Sequence, residues 1–293
     1  MDSGVFVFFL PVILAFMMMG LGLELTVKDF LRVGRYPKAI FLALFCQLVI
    51  LTSVAFFICV VLDLEPLLAV GLMLLAASPG GPTANLLSYL FKGDVALNLT
   101  LTAINSVITT FTLPFIVNLS LQYFMQSDTS IGIQTDKFAY IFLIIFIPVC
   151  IGLLIRHYFP RQALKCNRPM RMLCIVFLTA IFIYAIFRER SNVILYFVDV
   201  GIAVGIFCFI SMFIGYLVPH LAGLTERQSR ACSFEIGIHN TAISITIAIS
   251  VLSNTTIAIP AGVYSIFMYL FAFGFGYILT RKKTNLISKQ LES

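Results

Sequence analysis

The sequence has little charge and no tryptophan. Only 11% of its 293 residues are Asp, Glu, Lys or Arg, whereas 60% are hydrophobic and the mean hydropathy is +1.04. A soluble domain of this size cannot cover its surface with so few charged side chains. The sequence also lacks the short segments of alternating apolar and polar residues that would indicate a β-barrel. The composition therefore indicates a helical membrane protein.

Common catalytic motifs are missing as well. The sequence contains no HExxH, no GxSxG and no phosphate-binding loop with its lysine. The net charge of +6 does not indicate a nucleic-acid partner, because the basic residues lie in short loops between apolar runs. An intramembrane enzyme and a channel are the weaker alternatives, and channels usually line their pores by subunit symmetry.

Long apolar runs recur from one end of the chain to the other. We predict nine membrane-spanning helices at residues 5–25, 38–61, 67–90, 94–123, 138–157, 170–188, 193–218, 226–252 and 257–280. Sixteen of the 19 Lys and Arg residues fall on one side of this topology. Since basic residues concentrate in cytoplasmic loops, we expect a multi-pass protein of the cell (inner) membrane with its N-terminus outside and its C-terminus in the cytoplasm.

Two predicted spans are interrupted near their middles. The third contains two prolines and two glycines within residues 79–82, which a regular helix cannot accommodate. The eighth is interrupted around residues 235–241, where one glycine precedes three hydrogen-bonding side chains. A break at membrane depth exposes backbone groups and is tolerated where it lines a cavity. Because the two spans cross in opposite directions, they predict the paired discontinuous helices of an inverted-repeat transporter.

The placement of the breaks also predicts how the chain is divided. Each break lies in the second-to-last span of its half if the halves meet near residue 125. We therefore predict a first inverted repeat at residues 1–125, with four spans and its opening helix missing, and a second at residues 126–293, with five spans. The expected fold is an all-α polytopic membrane protein with nine transmembrane helices, two of them broken.

Glu235 is the acidic residue that stands out from the others. If Thr225 caps the eighth span, Glu235 lies about 15 Å along the helix, near the membrane midplane. A bare carboxylate at that depth is costly, so we expect a bound cation or a proton to neutralise it. A structural ion pair is the alternative, although no Lys or Arg is predicted at the same depth.

Polar side chains are predicted at a similar depth in neighbouring spans: Gln47, Asn85, Asn98 and Thr102. Asn98 and Thr102 are four residues apart and share one helix face. Hard cations such as sodium prefer oxygen ligands, and the helix break adds freed carbonyls near Ile236 and Ile238. Interhelical hydrogen bonding is the alternative role for each of these polar side chains.

The ends of the broken helices predict the substrate. Two half-helices begin near Pro82 and Thr83 and near Asn240 and Thr241. Each helix N-terminus offers free N–H groups and a partial positive charge, which favour a bound anion. We therefore expect an organic anion at these ends and cations on the carbonyl side of the breaks.

At these residues the sequence resembles the bile acid:sodium symporter family. SPGGPTAN at residues 78–85 and GDVAL at residues 93–97 look like the family's first crossover helix and the start of its next span. EIGIHN at residues 235–240 looks like the second crossover motif. The resemblance covers essentially the whole chain and implies sodium-coupled symport of an organic anion by alternating access.

The resemblance also implies an architecture and a ligand set. A core domain holding two crossed broken helices packs against a panel domain, and nine-span members lack the opening helix. The first implied sodium site uses Asn85, Asn98, Thr102 and Glu235. The second implied site uses Gln47, Glu235, His239 and the carbonyls of Ile236 and Ile238. Asn240 is then expected at the substrate face.

The chain departs from the family pattern at positions that affect the bound ion. Ala84 and Asn98 stand where serine is common among relatives, and His239 stands where many have glutamine. Because sodium takes nitrogen poorly and histidine titrates near neutral pH, proton coupling through His239 and Glu235 is the main alternative. The sequence leaves open whether one or two sodium ions bind, whether the substrate is bile-acid-like or a small organic acid, and which oligomer forms.

Overall fold

The computed structural model describes residues 3–125, 135–167 and 190–291, together with positions 169, 170, 172, 173 and 176. Twelve α-helices are assigned: α1 (Ser3–Glu24), α2 (Val27–Leu31), α3 (Pro37–Phe45), α4 (Thr52–Val61), α5 (Pro66–Ala77), α6 (Pro82–Leu90), α7 (Val95–Phe124), α8 (Thr135–Tyr158), α9 (Arg190–Leu221), α10 (Glu226–Gly237), α11 (Thr241–Ser250) and α12 (Ile259–Leu291). A π-helical turn, Cys46–Leu51, joins α3 to α4. Further helical residues lie at 160–167.

Eight of the nine predicted spans coincide with described helices or helix pairs. The π-helical turn makes α3 and α4 one continuous span, and the two interrupted spans are α5 with α6 and α10 with α11. Four described helices are long and apolar enough to cross a bilayer, at Pro37–Val61, Val95–Phe124, Val200–Leu221 and Thr256–Arg281. The predicted span 170–188 lies almost entirely outside the described residues, as does the repeat boundary. The count of nine and the two repeats therefore stay predictions.

Large apolar side chains cover the outside of the helix bundle. Phe41, Phe57 and Leu270 are 68%, 62% and 66% exposed, respectively. Water would make such a surface unstable, whereas lipid tails favour it. The protein is therefore a multi-pass membrane protein with its apolar perimeter in the bilayer.

The first and eighth helices pack through a pair of glycines. A Cβ on Gly22 would overlap the Val149 carbonyl oxygen, and a Cβ on Gly152 would overlap the Met19 carbonyl oxygen. Small residues let helix backbones approach closely in a membrane, where no hydrophobic force draws helices together. These two glycines therefore fix α1 against α8 as one unit.

The centre of the bundle is built around α5, α7 and α10. Ten consecutive residues of α5, from Leu68 to Ala77, are buried. Nine consecutive residues of α10, from Ser229 to Gly237, are also buried, although this helix is rich in polar side chains. Thr225 caps α10 and forms a capping box with Gln228, as the sequence predicted for the cap. The core thus encloses polar groups, which need partners there.

Candidate functional site

The two helix breaks cross each other at the centre of the bundle. Gly80 and His239 form an antiparallel bridge, and the Asn240 N–H donates to the Pro79 carbonyl at 2.9 Å. The predicted starts of the second half-helices are confirmed, since α6 begins at Pro82 and α11 at Thr241. The second break is shorter than predicted, because residues 235–237 are still helical and only residues 238–240 are not.

The Glu235 carboxylate lies directly against the first break. A Cβ on Gly80 would overlap Oε1 and Cδ of Glu235, and would lie 2.9 Å from its backbone oxygen. Glu235 itself is only 2% exposed. Because Gly80 has no side chain, the Glu235 carboxylate fits against the backbone of the first break.

Polar side chains of α7 and α6 converge on this carboxylate. The Thr102 hydroxyl contacts Glu235 Oε2 at 2.6 Å and accepts from Asn85 Nδ2 at 3.4 Å. One turn earlier, Asn98 Nδ2 donates to the Ala231 carbonyl on α10 at 2.7 Å. The four side chains of the predicted first sodium site thus lie together, as their depths and the shared face of α7 predicted.

Three acceptor oxygens in this group have no ordinary hydrogen bond. They are Asn85 Oδ1, Asn98 Oδ1 and Glu235 Oε1, and none finds a partner among the residues that the structure describes. Buried acceptors of this kind are destabilising unless something satisfies them. A small cation bound between them would satisfy all three at once, because hard cations prefer carboxylate and amide oxygens.

The sequence reasoning missed Asn105, which belongs to the same group. Asn105 is 2% exposed, and its side chain lies beside the Glu235 carboxylate. Its Oδ1 accepts from Thr109 at 3.4 Å, which leaves its amide N–H groups to face the carboxylate. The signal was available, since Asn105 follows Asn98 by seven residues and so shares its helix face.

Arg230, a buried arginine on the same helix as Glu235, interacts with other groups. Arg230 is 3% exposed and lies on α10, five residues after the capping Thr225. It pairs with Glu226 at 2.9 Å and donates to the carbonyls of Phe91 and Leu279 at 3.2 and 2.7 Å. Within the described part of the chain, Glu235 has no ion-pair partner. The alternative of a structural ion pair for Glu235 therefore gains no support.

A second polar group lies where the π-helical turn meets the crossing. Gln47, within that turn, donates from Nε2 to the carbonyls of Ala76 and Ser78, both at 3.2 Å, and lies 3.5 Å from His239 Nδ1. Single π-helical turns are common at functional sites. Ile236 and Ile238 are both buried. Gln47 and His239, two side chains of the second implied sodium site, therefore lie together.

The His239 ring is held in one orientation by its neighbours. Its Nδ1 lies 3.2 Å from the Ser78 carbonyl, which only accepts, so Nδ1 carries the proton. Phe207 stacks on the ring at 5.5 Å between centroids, and Tyr264 meets it edge-on at 5.4 Å. Nε2 then carries a lone pair, and it has no hydrogen-bond partner among the described residues. No hydrogen bond between His239 and Glu235 occurs in that part of the chain either.

A cavity of about 90 Å³ lies beside the crossing. Pro82 and Asn240, both predicted to bind the substrate, line it together with the C-terminal half of α1. Thr83 and Thr241 are half-buried in the first turns of α6 and α11 but are not among its described lining residues. Asn240 caps α11 by accepting from the Ile243 N–H at 3.2 Å. The cavity thus lies at the starts of both half-helices.

Paired broken helices that cross inside an apolar bundle, beside a buried carboxylate, define a secondary membrane transporter. Residues 11–197, more than half of the chain, match the model of the Sodium Bile acid symporter family. The chain therefore belongs to this family, whose members are transporters and not enzymes. The resemblance predicted from the crossover motifs is confirmed.

Three relatives show how far the similarity extends. The chain is 26% identical over 250 residues to a probable chloroplastic sodium/metabolite cotransporter of Arabidopsis thaliana, covering 85% of this chain but only 61% of that relative. It is 24% identical over 258 residues to an uncharacterized sodium-dependent transporter of Bacillus subtilis, covering 88% and 78%. It is 27% identical over 282 residues to the human ileal sodium/bile acid cotransporter, covering 94% and 79%.

Proposed function

We propose that the chain is a sodium-coupled symporter that carries a small organic anion by alternating access. The observation that carries the proposal is the buried Glu235 carboxylate, whose Oε1, like the nearby Asn85 Oδ1 and Asn98 Oδ1, has no hydrogen-bond partner in the described part of the chain. Such a group favours a hard monovalent cation, and the relatives' names refer to sodium. Family membership supports transport rather than catalysis.

The sodium ion is proposed to bind between α6, α7 and α10. Its ligands are Asn85 Oδ1, Asn98 Oδ1, the Thr102 hydroxyl and the Glu235 carboxylate. Asn105 orients that carboxylate from the same face of α7. Sodium binding neutralises Glu235 and satisfies the acceptors, so it stabilises the crossed arrangement of the breaks.

The organic anion is proposed to bind at the starts of α6 and α11. Pro82 and Asn240 line the cavity there, and Thr83 and Thr241 offer hydroxyls from the first turns. Helix N-terminal N–H groups attract the anion. Because the sodium group and the cavity both adjoin the same crossing, sodium binding that orders the crossing also favours the bound anion, and this couples the two substrates.

Transport requires this cavity to open to each side of the membrane in turn. We assign α1 and α8, locked by their glycine pair, to a panel, and the crossed helices with α7 to a core. Rocking of the core against the panel then exposes the site alternately. The basic loops support an inner-membrane orientation with the N-terminus outside, and the two inverted repeats supply the symmetry that such rocking needs.

One sodium ion per cycle is the stoichiometry we propose. The second polar group offers the Gln47 amide oxygen and a ring nitrogen of His239, and sodium prefers oxygen. Uptake should therefore rise with sodium concentration with a Hill coefficient of about one. His239→Gln, which replaces the nitrogen by an amide oxygen, should raise that coefficient. A sigmoidal sodium dependence in the wild type would contradict the assignment.

The Thr102 hydroxyl is expected to matter through its contact with Glu235. Thr102→Val removes the hydroxyl at nearly constant volume, and the loss of a charge-assisted hydrogen bond and an oxygen ligand is about 1.5–3 kcal/mol. The sodium concentration for half-maximal thermal stabilisation should therefore rise about tenfold or more. Thr100→Val is the matched control, because this hydroxyl on the same helix donates to the Ala96 carbonyl, one turn earlier, and not to Glu235. Equal sodium responses in the two variants would exclude Thr102 as a ligand.

The experiment that tests the proposed function is a thermal-stability titration of the purified protein with sodium and with potassium, at pH 6 and pH 8. We expect stabilisation by sodium alone, and a further increase when a transported acid is added. Uptake into proteoliposomes should stop when the sodium gradient is collapsed. Stabilisation that ignores sodium but follows pH would reject sodium coupling and favour proton coupling through His239 and Glu235.

A further inference from the structure

The cavity beside the crossing is lined mainly by apolar side chains. Helix α1 contributes Phe16, Met17 and Leu21, of which the last two are four residues apart and so share one helix face. The first turn of α11 contributes Ala242 and Ile243. Pockets of this kind hold the body of a ligand by apolar contact and orient it with a few polar groups. The body of a bound substrate therefore meets a mostly apolar wall.

The polar residues of the same wall interact with one another or with the backbone. Asn167 donates from Nδ2 to Glu24 Oε1 at 3.2 Å, and Asn240 Oδ1 accepts from the Ile243 N–H at 3.2 Å. The Asn240 side chain therefore has its Nδ2 amide left to donate to an acid group, beside the N–H groups at the start of α11. This arrangement suits a substrate with one acid group better than one that is polar throughout.

The volume of the cavity limits the length of the substrate. The cavity measures about 90 Å³, whereas a single water needs about 10–15 Å³ on the same measure. The space therefore holds about six to nine heavy atoms. Butyrate and hexanoate are of this size, whereas the fused rings of a bile acid are far larger. The volume thus favours a short acid over the bile-acid-like substrate that the sequence leaves open.

Gly20 keeps the α1 wall of this cavity free of a side chain. It lines the cavity one turn after Phe16, and a Cβ there would lie 3.3 Å from Met170 Cε and 3.4 Å from Asn167 Oδ1. The flexible end of a methionine can give way to one methyl group. A larger, branched side chain must also extend into the cavity. Position 20 therefore controls how much of the cavity a substrate can use.

We propose that the substrate is a short monocarboxylic acid with an apolar chain, about four to six carbon atoms in all, and that Gly20 sets the upper limit on its length. This inference rests on the proposed function and names the substrate class of the same cavity. The acid group binds at the starts of α6 and α11, and the chain packs against Met17, Leu21 and Ala242. Each methylene placed against this wall tightens binding about fourfold until the cavity is full.

Straight-chain acids of increasing length test the inference. The probes are acetate, butyrate, hexanoate and octanoate, with succinate and 4-aminobutyrate as charged-ended analogues of butyrate and cholate as a bile acid. Each is titrated in sodium while thermal stability is measured. The concentration for half-maximal stabilisation should fall about tenfold or more from acetate to butyrate, reach its minimum at butyrate or hexanoate, and rise again for octanoate and cholate. Succinate and 4-aminobutyrate should act about tenfold more weakly than butyrate, because their far ends bring a charge against an apolar wall.

Side chains that fill the cavity should shift the optimum to a shorter acid. In Gly20→Val the response to hexanoate should weaken about tenfold or more, because about two methylenes lose their place, while the response to acetate stays within about twofold. Ala242→Val adds bulk from α11 and should have the same effect, so the result does not depend on one variant. Gly274→Ala is the control, since this residue of α12 is exposed and a Cβ there meets no atom of the described residues within 4 Å. It should keep the wild-type order of acids.

Four results would overturn the inference. These are equal responses to all chain lengths, a stronger response to cholate or to a charged-ended analogue than to butyrate, no response to any acid, and an unchanged optimum in both valine variants. Stabilisation by sodium without acid separates this failure from failure of the proposed function. It should persist in Gly20→Val, in Ala242→Val and in Gly274→Ala. Absence of the sodium response in the wild type would reject the symporter itself.

Discussion

Replacing Glu235 by glutamine should abolish sodium-dependent uptake, with a fall of about 100-fold or more. The carboxylate is 2% exposed, and its only direct partners in the described part of the chain are neutral side chains. Removing one partner of a buried ion pair commonly costs 3–5 kcal/mol, and a bound sodium ion would be the partner here. Converted to affinity, about 3 kcal/mol is already a factor of 100 or more. Uptake of a labelled acid into proteoliposomes measures the loss.

The same variant should fold well when sodium is absent. Glutamine has nearly the shape of glutamate and brings no buried charge into the bundle. In potassium buffer its melting temperature should therefore equal or exceed that of the wild type, whereas added sodium should no longer raise it. Glu65→Gln, which changes an exposed carboxylate at the start of α5, should behave as the wild type in both measurements. Sodium-dependent uptake retained in Glu235→Gln would rule out the carboxylate as the coupling site.

Local chemistry explains why the breaks could be placed from the sequence. Proline and glycine at residues 79–82 forbid a regular helix whatever surrounds them. Each half of the third span is too short to cross a bilayer alone, which takes about 20 apolar residues, so the two halves together form one interrupted span. The start of α6 at Pro82 and the capping of α10 by Thr225 follow from these local rules. The second break was harder to bound, because Glu235 and Ile236 can continue a helix and do so until Gly237.

The site residues could be predicted where their depth in the membrane and their face of the helix determine their position. Asn98, Thr102 and Glu235 were placed by spacing along their own helices, and the structure brings them together. Asn105 lies on the same helix face, seven residues after Asn98. It was missed because the prediction used only the four-residue spacing between Asn98 and Thr102. Arg230 is buried despite its charge, because it pairs with Glu226 and donates to the carbonyls of Phe91 and Leu279.

Contacts between distant parts of the chain explain what the sequence could not supply. The π-helical turn at Gln47 follows no local pattern, and Gln47 reaches carbonyls about 30 residues away. The orientation of His239 depends on Ser78, which lies 161 residues earlier. The cavity itself depends on how α1 packs against α11, since both helices line it. Such pairings require the assembled bundle.

Gly80→Ala should disrupt both the fold of the crossing and the response to sodium. Its new Cβ would overlap the Glu235 carboxyl group and press on the Glu235 backbone oxygen, and both lie in a packed core that cannot easily shift. Overpacking of this kind costs about 1–3 kcal/mol, and we expect the upper end because a backbone atom is involved. The melting temperature in potassium should fall, and sodium should stabilise the variant little or not at all. Thermal unfolding in each salt measures both effects.

Gly81→Ala provides the matched control, one residue further along the same break. Among the residues that the structure describes, a Cβ at position 81 meets only Asn240 Nδ2, at 4.0 Å, and the backbone there is extended with φ −133°, which alanine adopts without strain. This variant should keep the wild-type melting temperature and sodium response. In Gly80→Ala combined with Glu235→Ala, the carboxyl group is gone and only the backbone contact remains, so part of the melting temperature should return without any sodium response. If Gly80→Ala and Gly81→Ala were equally tolerated, the carboxylate would not lie against the crossing backbone, and the proposed route from bound sodium to the ordered breaks would fail.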